Sequence, residues 1–397
     1  MVHLEYSVEK PLNREPDMEK LVSSFITAEG YDRNHGPIPH MDASTHRVSV
    51  SGLVTHALSL SIADLAALPQ HTVVCALQCA GNRRHTMRTK LKEVSGIDWF
   101  DGAVMNCRWR GPLLCDVLAQ AGVCLPAKDQ RDGNDGDDDD ADAHVAFACH
   151  QTPTQDDAYY GSSIPLSRAL SRSASVLLAL RMNNAPLPPN HGGPVRIVAP
   201  GIAGARSVKW LDGITVQRAE SANYYQQHDY KILPPEADCA AAAAAWWPRV
   251  AALHDMPVNS VVGVPRSGST VRGDERDGMV LVKGYALPAG AEGPVARVEV
   301  SGDGGETWVD AELVLRDDRD GNGGEEEEGE DDDADPAELK WAWCLWSARV
   351  KIARGKDRTV LSRATDASGN SQERCSQWNF RGVAYNGYGE ATGLEVV

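Results

Sequence analysis

Residues 73–84 read Val73-Val74-Cys75-Ala76-Leu77-Gln78-Cys79-Ala80-Gly81-Asn82-Arg83-Arg84. An apolar, β-branched run brings a thiol to small residues, then to Asn and two arginines. That is a strand, a tight turn and two permanent cations beside the sulfur. Arginine keeps its charge at any working pH, and neighbouring guanidinium groups favour the thiolate, the form that binds a soft metal. Cys75 and Cys79 would share one face of the strand with no second pair to close a tetrahedral site, so zinc is not the expected metal. A second chemistry lies further on, in Asn190-His191-Gly192-Gly193-Pro194-Val195-Arg196 and in Gly204-Ala205-Arg206-Ser207-Val208-Lys209. His, Arg and Lys punctuate Gly-rich turns between β-branched runs. Backbone N–H groups approach closely where Gly removes the side chain, and cations neutralise charge, which suits a phosphate. A third string, Arg33-Asn34-His35-Gly36-Pro37, is turn-forming and polar, poor core material and good anion-facing material.

The octapeptide Leu77–Arg84 resembles the signature of the sulfite oxidase family of molybdenum enzymes, which eukaryotic assimilatory nitrate reductases share. The resemblance implies that Cys79 ligates molybdenum, otherwise held by the dithiolene sulfurs of a pterin cofactor. It implies cofactor contacts from Arg33, Asn34 and His35 in the early string, and from His191, Arg196, Ser207, Val208 and Lys209 in the two later ones. The string Lys92–Trp99 continues the family pattern and places Trp99 in the wall of the substrate pocket. His228-Asp229-Tyr230-Lys231 is similar to the family's Asp-Tyr-Lys, whose phenol reaches the substrate side of the metal. With an ordinary pKa near ~10, Tyr230 stays a hydrogen-bond donor at neutral pH. Trp378-Asn379-Phe380-Arg381-Gly382 resembles a string whose Arg enters the substrate pocket, where plant-type nitrate reductases usually carry Met. Arg33, Arg84, Trp99, Tyr230 and Arg381 are therefore the expected catalytic set. Many relatives place an Asp where this chain has Thr152, leaving Thr152, Asp156 and Asp157 as alternatives for that loop.

The elements that must position these groups follow from pattern and composition. Residues 46–54 and 57–62 read as short strands leading to a helix over 61–68. Gly111–Val123 reads as an amphipathic helix ending at Gly122. His144–Cys149 and Ser175–Leu180 read as buried strands, and residues 1–25, rich in Pro and charge, as a wrap over the first domain. Residues 232–257 change composition and hold the linker, with an Ala run at the surface. Beyond Pro257, strands at 279–285, 295–301, 341–352 and 359–365 lie between Gly/Pro/Asp turns, the spacing of an immunoglobulin-like sandwich. The expected architecture is an α+β molybdopterin-binding domain over 1–245, of the sulfite oxidase fold, followed by an all-β immunoglobulin-like dimerisation domain over 246–397.

The net charge of −17 is local. Residues 131–142 hold seven acids and Arg131, for −6, and residues 317–338 hold thirteen acids and Arg319, for −12. Without that −18 the chain sums to +1, which argues against a general nucleic-acid binder. Segments about 127–142 and 317–338 are read as disordered acidic insertions. Nine irregularly spaced cysteines point to reduced thiols in an intracellular compartment, cytoplasm or mitochondrion. No secretory signal, peroxisomal tripeptide or apolar run of ~20 residues is seen, so no membrane is expected. The resemblance implies a homodimer that oxidises sulfite to sulfate and passes electrons to oxygen or a separate haem protein, with no haem in this chain. The alternatives are nitrate reduction on the same scaffold and a non-catalytic β-rich interaction protein.

Overall fold

The computed structural model describes residues 6–124, 143–315 and 339–397. The two acidic segments expected as insertions lie outside the described residues.

A five-stranded sheet anchors the first half. Its order is Leu58–Ser61, Arg47–Gly52, Gly213–Gln217, His144–Cys149 and Tyr160–Pro165. Arg47–Gly52 alternates, turning Val48 and Val50 inward, and Gly213–Gln217 pairs parallel to it and antiparallel to His144–Cys149. Ser61 starts the helix Ile62–Ala67 with a capping box to Asp64. The helix Leu114–Ala121 buries Leu114, Val117, Leu118 and Ala121 against the same core and ends at Gly122 in the left-handed region. These elements set only the frame; the strand His71–Gln78 sets the site. It pairs antiparallel with Val104–Gly111, which places Cys75 opposite Cys107 and ends one residue before Cys79. Leu177–Ala179, inside the expected 175–180 strand, pairs with Arg196–Val198, the middle of the phosphate-cradle sequence.

The second half is two facing sheets. Asn259–Val264, Met279–Leu287, Cys344–Lys351 and Glu312–Val314 make one; Thr270–Val271, Gly389–Val396, Gly355–Asp366, Val295–Ser301 and Val309–Asp310 make the other. Val282, Trp346, Val298, Val300, Val360 and Leu394 fill the space between them, the arrangement of a β-sandwich. The Ala run forms the short helix Ala240–Ala244, with only Ala243 buried.

The two halves are joined through a shared core. Trp343 is fully buried there with Ala76, Val104 and Tyr285, and its indole donates to Phe25 O at 2.8 Å. The Ala76 amide of the signature strand donates to Trp341 O at 3.0 Å. Asn13–Arg14 pairs with Asp32–Arg33 along the first half, as expected, but Leu21, Val22 and Phe25 belong to this core, so the end of the N-terminal segment is wedged between the halves. Its apolar residues explain the difference: each large side chain removed from water is worth about 1.5–3 kcal/mol, and the interface is where apolar surface was available. No helix among the described residues is long and apolar enough to cross a membrane.

Candidate active site

Cys79 leaves the strand with its amide bonded to Ala103 O at 2.9 Å, and its carbonyl accepts from the Asn82 amide at 2.9 Å, closing the turn. Arg83 follows at φ 67°, and the helix Arg84–Lys90 begins. The turn sends the two arginines in different directions. Arg84 stays at the site; Arg83 crosses into the second half, where its guanidinium meets Asn259, Gly387 and Tyr388. The expectation of two cations flanking the thiol is corrected to one, because the left-handed backbone at Arg83 swings its side chain away. Arg84 sits in a slot framed by Gly81, Gly96 and Gly382; a Cβ on any of the three would collide with its side chain. Its Nε donates to Arg381 O at 2.9 Å and its Nη1 to Ile97 O at 2.8 Å. Burial lowers its pKa to about 10, which leaves it cationic at neutral pH.

Two cavities meet at Cys79. One is lined by Asn34, His191, Arg196, Ser207 and Lys209. The other is lined by Arg84, Trp99 and Arg381, together with Asp156 and Asp229. Arg33, His35, Cys79 and Tyr230 border both. All the residues proposed from the sequence are thus brought together except Val208, whose side chain packs into the first-half core while its carbonyl accepts from Ile197 N at 2.9 Å.

A chain of hydrogen bonds fixes proton positions at the junction. Arg33 Nη2 lies 3.1 Å from His35 Nδ1, and His35 Nε2 lies 2.7 Å from Tyr230 Oη. A guanidinium only donates, so His35 Nδ1 accepts and the imidazole proton sits on Nε2. Burial, with help from Arg33, holds His35 well below the usual imidazole range and so neutral. Tyr230 Oη therefore accepts from His35 and keeps its own O–H for a partner outside this chain of bonds. Burial raises its pKa as well, so it remains a phenol. Arg206, absent from the sequence-derived set, holds this corner from behind. Fully buried, it donates to Tyr225 O, Gln226 Oε1, Leu253 O and Tyr230 O at 2.7–3.3 Å.

The larger donor set fits an anionic cofactor in the first cavity. Lys209 Nζ rests on Asn34 Oδ1 and on Asn190 O, over the Trp210 ring, and burial lowers it to about 7. Arg196 is spent on His191 O and Ser207 O, both at 2.9 Å, and brackets the cradle. His191 Nδ1 is buried with no partner, an open position for a ligand atom. A single thiol and a set of cations lining one cavity suit a pterin that would bring a sulfur-bound metal and a phosphate. In the 152–157 loop the alternatives separate. Thr152 lines the first cavity, its hydroxyl on Pro37 O at 3.0 Å, and Asp156 lines the second. Asp157 is structural, accepting from Asn223 Nδ2 and Tyr224 N at 2.9 Å.

The buried histidines make an acid-sensitive fold. Burial pushes His191 down to about 3 and His35 downward as well, while an unfolded histidine titrates near ~6.5. The unfolded chain then binds protons that the folded chain refuses. Stability of the cofactor-free chain should fall as pH drops below about 6.5, by up to about 1.4 kcal/mol per pH unit for each histidine, continuing to about pH 3 for His191. Urea midpoints measured from about pH 7 to pH 5 should decline; a flat profile would mean that both rings accept protons in the fold.

The fold and the paired cavities define a cofactor-binding first domain, fit for a molybdopterin, joined to a β-rich second domain. The chain matches the oxidoreductase molybdopterin binding domain over residues 35–225 and the Mo-co oxidoreductase dimerisation domain over residues 250–391. It is 36% identical to sulfite oxidase of Arabidopsis thaliana over 390 residues, covering 96% of this chain and 91% of that one. It is 39% identical to the mitochondrial sulfite oxidase of Rattus norvegicus over 391 residues, covering 97% of this chain but spanning only 64% of the rat protein. The sulfane dehydrogenase SoxCD structure from Paracoccus pantotrophus shares the fold, with a TM-score of 0.70, 21% identity, and 99% of this chain and 89% of that one covered. This chain belongs to the sulfite oxidase family.

Proposed function

We propose that the protein oxidises sulfite to sulfate, releasing two electrons and two protons and taking one oxygen atom, ultimately from water. The observation that carries this reading is the second cavity. Three guanidinium groups, Arg33, Arg84 and Arg381, line it together with Trp99, and Trp99 Nε1 and Arg381 Nε are buried N–H donors without a partner. Unspent buried donors are costly, and an oxyanion with three acceptor oxygens is what would satisfy them. Held by its oxygens, sulfite leaves the sulfur lone pair free to face the Cys79 end of the cavity. The metal that Cys79 would ligate supplies the oxidant for two electrons and the site of oxygen transfer. Tyr230 keeps a proton directed at that junction, its orientation set by His35. Trp99, almost wholly buried, walls off solvent. The sandwich domain supports a homodimer, and oxygen or a separate haem protein is the proposed acceptor. All nine cysteines are free thiols, which supports a reducing, intracellular compartment.

The purified, cofactor-loaded protein should turn over sulfite and not nitrate; nitrate-dependent turnover without sulfite oxidation would sink the reading. Arg381→Met should raise the sulfite KM roughly 10- to 150-fold, the equivalent of one charge-assisted hydrogen bond of about 1.5–3 kcal/mol, with a smaller change in kcat. An unaltered KM would remove Arg381 from the binding set.

A further inference from the structure

The substrate cavity contains two carboxylates where an anion must bind. Asp229 Oδ1 lies 2.8 Å from Arg381 Nη2, and the pair is largely buried, at 9% and 20% side-chain exposure. Arg381 Nη1 donates to Ser95 Oγ at 3.2 Å, and Nε has no partner. Asp229 holds this position at φ 49°, a left-handed backbone that most side chains avoid. Asp156 lies nearby: one ligand atom each of His35, Asp156 and Asp229 fall within 4.8 Å of one another. That trio is no cation site, since both His35 nitrogens are committed to Arg33 and Tyr230 and Asp229 is committed to Arg381. Cys79 aside, three guanidinium groups less two carboxylates leave the cavity one net positive charge.

Sulfite and sulfate are both oxyanions, so a cage of three free guanidinium groups would grip product as firmly as substrate. Binding both equally lowers KM without speeding the chemical step, and it slows release. We propose that Asp229 is an internal competitor for Arg381: its carboxylate holds the guanidinium in the empty cavity, yields it to the incoming oxyanion and reclaims it as sulfate leaves. This rests on the sulfite reading above. Asp229 touches Arg381 and acts through it, as a positioning residue that sets how tightly oxyanions are held.

The test uses the cofactor-loaded, full chain with Asp229→Asn and Asp229→Gly, two residue types at ease at positive φ, so the backbone need not change. Sulfate binding is measured by calorimetry, alongside sulfite KM and kcat. Both variants should bind sulfate about tenfold more tightly or better, as a charge-assisted bond to Arg381 is no longer contested. Sulfite KM should fall in proportion, and kcat should not rise. Sulfate affinity that is unchanged or weaker in either variant would show that Asp229 only scaffolds Arg381, and would overturn the proposal. The two readings fail separately. Sulfite turnover by the wild-type chain without tighter sulfate binding in the variants removes the competitor alone. Tighter sulfate binding with no sulfite turnover in the wild-type chain removes the oxidase reading and leaves Asp229 competing for an oxyanion.

Discussion

Cys79→Ser should reduce sulfite-dependent turnover to background while leaving a folded protein. The fold survives because the residue's two hydrogen bonds at the turn, to Ala103 O and from Asn82 N, are both made by main-chain atoms. The side chain is buried, so an incompletely paired hydroxyl there costs about 1–3 kcal/mol, a modest fall in melting temperature. Turnover is lost because a serine hydroxyl does not ionise near neutral pH and is a poor ligand for a soft metal, whereas a thiolate is a good one. Two readouts distinguish this from simple instability: circular dichroism should match the wild-type chain, and the absorption of a thiolate-bound metal should be missing. Sustained turnover in the serine variant would remove Cys79 as the metal ligand and, with it, the reason for placing the reaction where the two cavities meet.

Much of the site was legible because its residues sit in short polar strings at strand ends, where the backbone is free to face a ligand. Arg33, Asn34 and His35 come from one such string, and His191, Arg196, Ser207 and Lys209 from two others; all of them line the first cavity with Cys79. Val208 was carried along with its neighbours, but an apolar side chain gains by leaving a polar cavity for the core. With Ser207 and Lys209 facing the cavity, Val208 faces the core. Asp229 stood beside Tyr230 in a string already singled out; what sequence lacked was its partner, Arg381, 152 positions away. Arg206 stood in a string already singled out, but nothing local marked it as a buried clamp rather than a ligand contact. Its acceptors are mostly backbone carbonyls brought to it by folding, and a carbonyl carries no residue identity to read. The strands of the sandwich were readable from alternation, while the wedge of Leu21, Val22 and Phe25 was not. Its burial depends on a surface that exists only once the two halves meet.

That meeting surface makes the second half part of the site, and Arg83 is its clasp. Arg83 Nη1 donates to Asn259 Oδ1 at 2.8 Å, Ser260 O at 3.3 Å and Gly387 O at 2.6 Å, and Nη2 donates to Tyr388 O at 2.7 Å. The guanidinium also lies 4.7 Å from the centre of the Tyr385 ring and 3.4 Å from Asp101. Arg83→Met keeps the aliphatic stem and adds no backbone cost, since both residues are equally out of place at positive φ. It strips the donors from several buried acceptors and leaves Asp101 without its cation, so the expected loss is about 3–5 kcal/mol of stability. Arg83→Lys should recover little of it, because a single ammonium cannot reproduce a forked set of bonds. The consequence reaches the chemistry. Arg84 is held by Arg381 O and packed against Gly382, so loosening the clasp also loosens two of the three cations proposed to grip the oxyanion. Thermal unfolding should shift down by many degrees, protease should cut sooner in the 232–257 linker, and sulfite KM should rise with Cys79 untouched. If Arg83→Met melts like the wild-type chain, the buried Trp343 and the Ala76–Trp341 bond hold the halves together by themselves, and the geometry of Arg381 owes nothing to the clasp.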